Sequence, residues 1–268
     1  MKKQASEDFV CVRGGGDLAT GVSWRLHRCG LRVLITEIHK PLAVRRSVAF
    51  CEAVYDGSST VEGVEAVLIN EPRNRFMIWE QGKIPLLIDP SCEKGKSLAP
   101  EILVDGIMAK KNLGTSVDDA PLVIALGPGF EAGRDAHFVV ETKRGHYLGR
   151  LLTSGSAIPD TGIPGAVNGI SEDRLLRAPE DGIWTSDLKI GAEVKKGDAM
   201  GSVSGSFVRA PISGVLRGLI RPGINVSKGL KIGDIDPRGE GEHCFTISDK
   251  ALAIAGGVLE GISRKSGR

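Results

Sequence analysis

The strongest constraint on this chain lies in its second half, where one stretch is written twice without a gap. Residues 177–203 read RAPEDGIWTSDLKIGAEVKKGDAMGSV, and residues 209–235 read RAPISGVLRGLIRPGINVSKGLKIGDI. At a constant offset of 32, Arg177, Ala178, Pro179, Gly182, Gly191, Val194, Lys196, Gly197 and Gly201 meet their own kind at Arg209, Ala210, Pro211, Gly214, Gly223, Val226, Lys228, Gly229 and Gly233. Ile183 and Val203 align with Val215 and Ile235. A gapless match of this length means one supersecondary unit used twice. Short β-rich pieces cut by glycine turns predict two like β units closing over a shared core.

The first half carries a different signal. FVCVR (residues 9–13) is a short β-rich run that ends on Gly14, Gly15 and Gly16. Beyond it, Leu18, Ala19, Val22, Leu26 and Cys29 recur at helical spacing, and Gly30 supplies a stop. RVLITE (32–37) follows as a second strand. Strand, glycine turn, helix and strand make a βαβ unit, whose strands lie parallel. Further strands are predicted at 66–69, 85–89, 101–105 and 121–126, apolar throughout as strands buried on both faces are. Helices are predicted over 71–82 and 106–113.

The expected fold class is therefore α/β. A Rossmann-like parallel-sheet domain would occupy 1–130, and a β hairpin with its connecting segment 131–174. A β-rich module built from the repeat would occupy 175–240. A C-terminal helix within 241–268, capped by Ser248 and striped by Leu252, Ala255, Val258, Leu259 and Ile262, would pack back on the α/β domain.

Composition narrows the function. With 268 residues, 41% hydrophobic and 25% charged, the chain has an ordinary globular balance and enough length for two cores. A net charge of +2 gives no concentrated basic face, so nucleic acid is not an expected partner. No apolar run approaches membrane-spanning length, and MKKQASEDFV lacks the apolar region of a secretory signal. The five cysteines are scattered with no CxxC pair, which predicts reduced thiols in a cytoplasmic protein rather than a zinc ribbon or a disulfide framework.

In wound sheets, ligands bind beyond the carboxyl ends of the strands. Here Gly14, Gly16 and Ala19 match G-x-G-x-x-A, and Glu37 ends the next strand near the spacing of a ribose contact. Glycines let backbone approach a phosphate, and a helix start offers free N–H groups and a positive dipole end. Asp17 opposes this, since its carboxylate repels phosphate and competes for the same groups as a cap. Gly14, Gly15, Gly16, Asp17, Glu37, Gly127 and Gly129 are thus the candidate cofactor-binding residues, for NAD(P) or another phosphate-bearing ligand. Gly, Asp and Pro are equally what any tight turn prefers. Hydride chemistry lacks a Tyr-x-x-x-Lys pair, because neither Tyr55 nor Tyr147 has a lysine four residues on.

Cys92, in IDPSCEKG with Lys94 and Lys96 nearby, is the candidate catalytic thiolate. Cys11 and Cys29 fall on core positions. His137, Glu141, Arg144 and His146 flank a Lys143-Arg144-Gly145 turn, and His137, Glu141 and His146 are the candidate metal ligands. Polar alternation on a hairpin also describes a face turned to water.

Two resemblances follow. The duplicated module resembles the barrel-sandwich hybrid of biotinyl and lipoyl domains. Their modified lysine sits on the hairpin joining the halves, but Ser204-Gly205-Ser206-Phe207 holds none, so no lipoyl or biotin attachment is expected. The whole chain resembles the YqeB family from about residue 9 to residue 262. The resemblance runs through VRGGGDLATGVSWRLHRCGLRVLITE, PLAVRRSVAFCEAVYDG, ALGPGFEAGRDAHFVVETKRGHYLGR, IPDTGIPG and APISGVLRGLIRPGINVSKGLKIGDIDPRG. It implies an accessory role in maturing a selenium-dependent molybdenum hydroxylase, with that enzyme as partner and a molybdopterin nucleotide as the implied ligand. Handling of selenium would use a thiolate, for which Cys92 is best placed. The alternatives are an NAD(P)-dependent oxidoreductase and a non-enzymatic scaffold, and a homo-oligomer is compatible with each.

Overall fold

The structure, a computed structural model, describes residues 8–162, Gly165 and residues 167–265. The opening MKKQASE, read above for a leader, and Ile163 and Pro164 of IPDTGIPG lie outside the described residues. The chain divides into two compact units, one of Met1–Pro41, Phe50–Asp160 and Ser248–Arg268, the other of Leu42–Ala49 and Thr161–Ile247.

The first unit is built on a nine-stranded sheet. Its strands begin with β1 (Val10–Arg13), β2 (Val33–Glu37), β3 (Ser58–Val61), β4 (Val64–Ile69), β5 (Ile84–Ile88), β6 (Ile102–Asp105) and β7 (Leu122–Leu126). β8 (Glu131–Ala132) stands apart, β9 (Phe138–Val140) and β10 (Leu151–Leu152) complete the sheet, and β11 (Gly155–Ser156) pairs with β8. The order is β10-β9-β7-β6-β1-β2-β5-β4-β3. Val10, Cys11, Val12, Leu34, Ile35, Leu103, Val104, Val123 and Ile124 are all buried, which is why these strands are apolar on both faces. β1 lies centrally, with Arg13 in register with Thr36 of β2 and Asp105 of β6.

Helices flank the sheet: α1 (Asp17–Arg28), α2 (Ala53–Asp56), α3 (Arg75–Glu80), α4 (Glu93–Ser97) and α5 (Asp249–Lys265). The Ser248 hydroxyl accepts the Ala251 N–H at the start of α5, and α5 packs against α1. Its buried stripe is Ala251, Ile254, Ala255, Gly257, Val258, Gly261 and Ile262, with Leu252 and Leu259 at the margin rather than the centre.

The fold class expected from the sequence is corrected by this topology. The sheet expected from the sequence is parallel throughout, whereas this one is mixed: β3 runs antiparallel to β4, and β10 antiparallel to β9. Among the described residues no α-helix joins β6 to β7 or β7 to β9. The helix expected over 106–113 is absent because Met108 and Lys110 take a left-handed φ of 62°, which interrupts a right-handed helix. The expected helix 71–82 splits into a 3-10 turn at Pro72–Asn74 followed by α3. The expected tight turn at Lys143-Arg144-Gly145 widens into a loop, since the antiparallel partners are Val140 and Leu151.

The second unit carries the repeat as β12 (Leu175–Arg177), β13 (Gly182–Thr185), β14 (Glu193–Val194), β15 (Ala199–Val203), β16 (Ser206–Arg209), β17 (Gly214–Leu219), β18 (Asn225–Val226) and β19 (Lys231–Asp236). They form two four-stranded sheets, β12-β19-β17-β14 and β16-β15-β13-β18. Each sheet takes two strands from each copy of the repeat, so neither copy closes a core alone. That core gathers Leu176, Trp184, Met200, Val203, Leu216, Ile220, Ile232 and Ile235. The repeated glycines reflect close approach: a Cβ on Gly201 would run into the Thr185 carbonyl, and one on Gly214 into the Asp236 carbonyl. The expected pairing of a Rossmann-like domain with a barrel-sandwich-hybrid module is thus replaced by a mixed α/β sheet and a repeat-built β unit.

Candidate functional site

β1 delivers the chain to the glycine turn at the carboxyl edge of the sheet. Gly14 (φ 98°) donates its N–H to the Thr36 carbonyl at 2.8 Å. A Cβ on Gly14 would stand 3.2 Å from the Ile107 Cα, and one on Gly15 2.9 Å from the Cys51 nitrogen. The Cys51 N–H donates to the Gly15 carbonyl at 2.9 Å, and the Thr20 hydroxyl donates to the same oxygen at 3.1 Å. These two glycines are required because the chain's own backbone comes that close. Gly16 differs: it is the N-cap of α1, and a Cβ there would meet nothing within 4 Å.

Glu37 ends β2 and reaches back onto the turn. Its Oε2 accepts the Gly15 N–H at 2.8 Å, and its Oε1 accepts the Ile38 N–H at 2.7 Å. Burial pushes this carboxyl above its ordinary pKa, against the two N–H donors that favour the charged form. Asp17 is the first residue of α1, and Gly16, not Asp17, occupies the cap position.

Lys250, the second residue of α5, is half-buried, and Asp17 of α1 is among the charges that act on it. Burial lowers its ammonium pKa, Asp17, Glu141 and Asp160 favour its charge, and Arg144 opposes it. Arg144 itself makes a two-pronged pair with Asp249 at 2.7 and 2.8 Å, and Lys110 pairs with Asp160 at 2.7 Å. Charges of both signs therefore act on Lys250.

Gly127 (φ 76°) and Gly129 (φ 103°) follow β7 on the same edge. A Cβ on Gly127 would press on the Thr142 side chain, and one on Gly129 would lie 2.6 Å from the Lys111 backbone. Beside them Arg13 and Asp105 are buried together. Arg13 Nη1 lies 3.3 Å from Asp105 Oδ2 and donates to the Thr115 hydroxyl at 2.9 Å, and that hydroxyl donates to Asp105 at 2.6 Å.

The candidate metal ligands are not brought together. Glu141 is buried, accepting the Lys143 and Ile158 N–H groups at 2.7 and 2.8 Å. His137 Nδ1 accepts the Val123 N–H at 3.0 Å. It lines an open cavity of about 520 Å³ with Lys96, Asp119 and Pro121, at the opposite end of β7 from Gly127. His146 packs edge-on against Tyr147. Among the described residues no three His, Cys, Asp or Glu side chains form a group able to hold a metal. Cys92 is fully buried, and its Sγ lies 3.8 Å from Cys11 Sγ. Cys29, expected in the core, is exposed because it falls at the C-cap, past the last turn of α1.

Sequence reasoning missed Lys250, Cys51, the Cys11–Cys92 contact and the Arg13–Asp105–Thr115 cluster. Arg13 did carry a signal, as a charge closing an otherwise apolar strand. The others meet across long stretches of chain that no spacing rule connects.

No protein-family model matches the chain. Among solved structures, similarity is found to an aspartoacylase family protein from Mesorhizobium loti, at 12% identity and a TM-score of 0.27, covering 85% of each chain. A second is the ectoine utilization protein EutE (DoeB) from Ruegeria pomeroyi, at 13% identity and a TM-score of 0.24, covering 76% of this chain and 57% of that one. A succinylglutamate desuccinylase/aspartoacylase from Rhodobacter sphaeroides gives 10% identity and a TM-score of 0.24, again over 76% and 57%. Likenesses this slight carry nothing about fold or activity. No helix among the described residues is long and apolar enough to cross a membrane. The uncharacterized protein YqeB of Escherichia coli K12 is 47% identical over 258 residues, 96% of this chain and 48% of the relative. The chain thus matches this relative with nearly all of its own length and spans about half of that protein's.

Proposed function

We propose that this chain is a ligand-holding accessory protein, which keeps a phosphate-bearing small molecule for a molybdenum hydroxylase at the carboxyl edge of its nine-stranded sheet. The ligand class is a nucleotide or a pterin nucleotide. One juxtaposition carries the binding half: the open face of Gly16 at the start of α1, with the half-buried Lys250 ammonium near Asp17. α1 has 12 residues, long enough for its first N–H groups and dipole to favour an anion. Lys250 supplies the positive charge that Asp17 offsets.

The fit is to one phosphate on the first turn, not to a pyrophosphate cradled by all three glycines. Gly14 and Gly15 are filled by Ile107 and Cys51, and the Gly15 N–H is held by Glu37. Glu37 faces that amide rather than a ribose. With no Tyr–Lys pair, this weighs against the NAD(P)-dependent oxidoreductase. The accessory half rests on kinship with YqeB and the resemblance of the sequence blocks.

The test is mass spectrometry of small molecules released from the purified chain, joined to calorimetry with a nucleoside monophosphate. A phosphate-bearing molecule is expected, with affinity falling tenfold or more in Lys250→Met and in Gly16→Val while both variants stay folded. Equal affinity in both variants would sink the site. A folded chain that holds and binds nothing would favour the scaffold reading.

A further inference from the structure

Two thiols 81 residues apart in sequence meet in the core of the first unit. Cys11 lies within β1, and Cys92 ends the turn after β5. Their Sγ atoms are 3.8 Å apart, and neither residue is exposed. Gly95 closes over both: a Cβ there would stand 3.0 Å from Cys11 Sγ and 3.1 Å from Cys92 Sγ. Cys92 also holds a left-handed backbone, φ 61°, which a residue with a side chain adopts at a cost. Strand, turn and the missing side chain at Gly95 together hold the sulfurs face to face.

We propose that Cys11 and Cys92 form a redox couple that closes to an intramolecular disulfide, with hydrogen peroxide as the two-electron oxidant. The Cys92 thiolate attacks a peroxide oxygen, the O–O bond breaks, and a sulfenic acid and one water result. Cys11 sulfur then attacks the sulfenic sulfur, the S–S bond forms, the S–O bond breaks, and a second water leaves. Two thiols lose two hydrogens and two electrons, and one peroxide becomes two waters. Cys92 is the attacking group because its hydrogen bond with Cys11 lowers its pKa, while that pairing and burial push Cys11 well up. Closure shortens the separation to about 2.05 Å. Access runs through α4, a five-residue helix with exposed Glu93 and Lys94 in its first turn and exposed Ser91 before it, a short element of the kind that opens locally.

The experiment treats the full chain with hydrogen peroxide under native conditions, alkylates it in denaturant and maps unreduced peptides. A Cys11–Cys92 cross-linked peptide is expected, with both of these thiols lost to alkylation and restored by a thiol reductant. Exposed Cys29 serves as the internal gauge of oxidation. Cys11→Ala should abolish the link and leave Cys92 as a sulfenic or sulfinic acid, and the wild-type map stands even where that variant folds poorly. Cys11 and Cys92 both remaining alkylatable once Cys29 is fully oxidised would overturn the proposal. So would links confined to Cys29 or to separate chains.

Discussion

The carboxylate of Glu37 holds the amide of Gly15 at 2.8 Å, so the acidic end of β2 closes the turn that β1 opens. The same side chain accepts the Ile38 N–H at 2.7 Å. Removing both acceptors in Glu37→Ala leaves two donors short of a partner and should cost about 2–4 kcal/mol in denaturant unfolding. The pH dependence has a definite sign. Burial raises the folded pKa of Glu37, so its contribution is fully present below the ordinary carboxylate value of about 4.3 and is lost as pH rises through the raised value. The stability difference between wild type and Glu37→Gln should therefore shrink as pH rises across that window. A difference that grows instead would show that the N–H donors outweigh burial.

The glycine turn separates packing from binding residue by residue. Gly15→Ala drives a Cβ to 2.9 Å from the Cys51 backbone, and overpacking of this kind costs about 1–3 kcal/mol. Gly16→Ala meets nothing within 4 Å, at φ −67° and ψ 175° that any residue adopts. With no clash to add, it should cost only the loss of a favoured N-cap residue, about 0.5–1 kcal/mol. Thermal melts of the two variants side by side check this, and equal losses would mean that Gly16 is packed too.

Much of this arrangement was legible in the sequence, and the reason it stopped is physical. Apolar runs announced β1, β2, β5, β6 and β7, because strands buried on both faces have no polar side. The offset of 32 announced the repeat, and its strands recur at that spacing, from β12 and β16 to β15 and β19. Strand order was not legible, since antiparallel β3 and β10 at the margins depend on where loops lead rather than on side-chain pattern. Nor does a glycine report what approaches it. Gly14 and Gly129 spare room for Ile107 and Lys111, where the motif alone suggested a ligand. Nothing around Cys92 in sequence points to its partner, which lies in β1, and Lys250 carries no signal because the carboxylates that act on it come from α1 and from the segments after β9 and β11.

The Arg13–Asp105–Thr115 cluster stabilises the strand ends beneath the glycine turn. Arg13 is 5% exposed and Asp105 2%, so Asp105→Ala strands a buried guanidinium and should cost about 3–5 kcal/mol. Thr115→Val removes only the hydroxyl between them and should cost about 1–3 kcal/mol. Because all three share one network, the double variant Asp105→Ala/Thr115→Val should lose less than the sum of the single losses. Denaturant midpoints of the four proteins measure this, and strict additivity would argue against a shared network.

In the second unit, Asp236 sets a separate acid limit. Burial opposes its charge, but Arg238 donates to it at 2.6 and 2.9 Å, Arg217 stands 3.3 Å away, and the folded pKa falls to about 2. A depressed carboxylate stabilises the fold above its unfolded pKa of about 3.9, and that stability drains away as pH falls through the folded value. The contribution at neutral pH is about 2 kcal/mol. Asp236→Asn should lose at least this much at pH ~7, with half-buried Arg217 left short of its countercharge. The variant should then approach wild type between pH ~4 and ~2, where the wild type sheds the same term. Unfolding free energies of both proteins across that range decide the matter: a gap that stays constant down to the lowest pH would mean the two arginines do not hold Asp236 ionised.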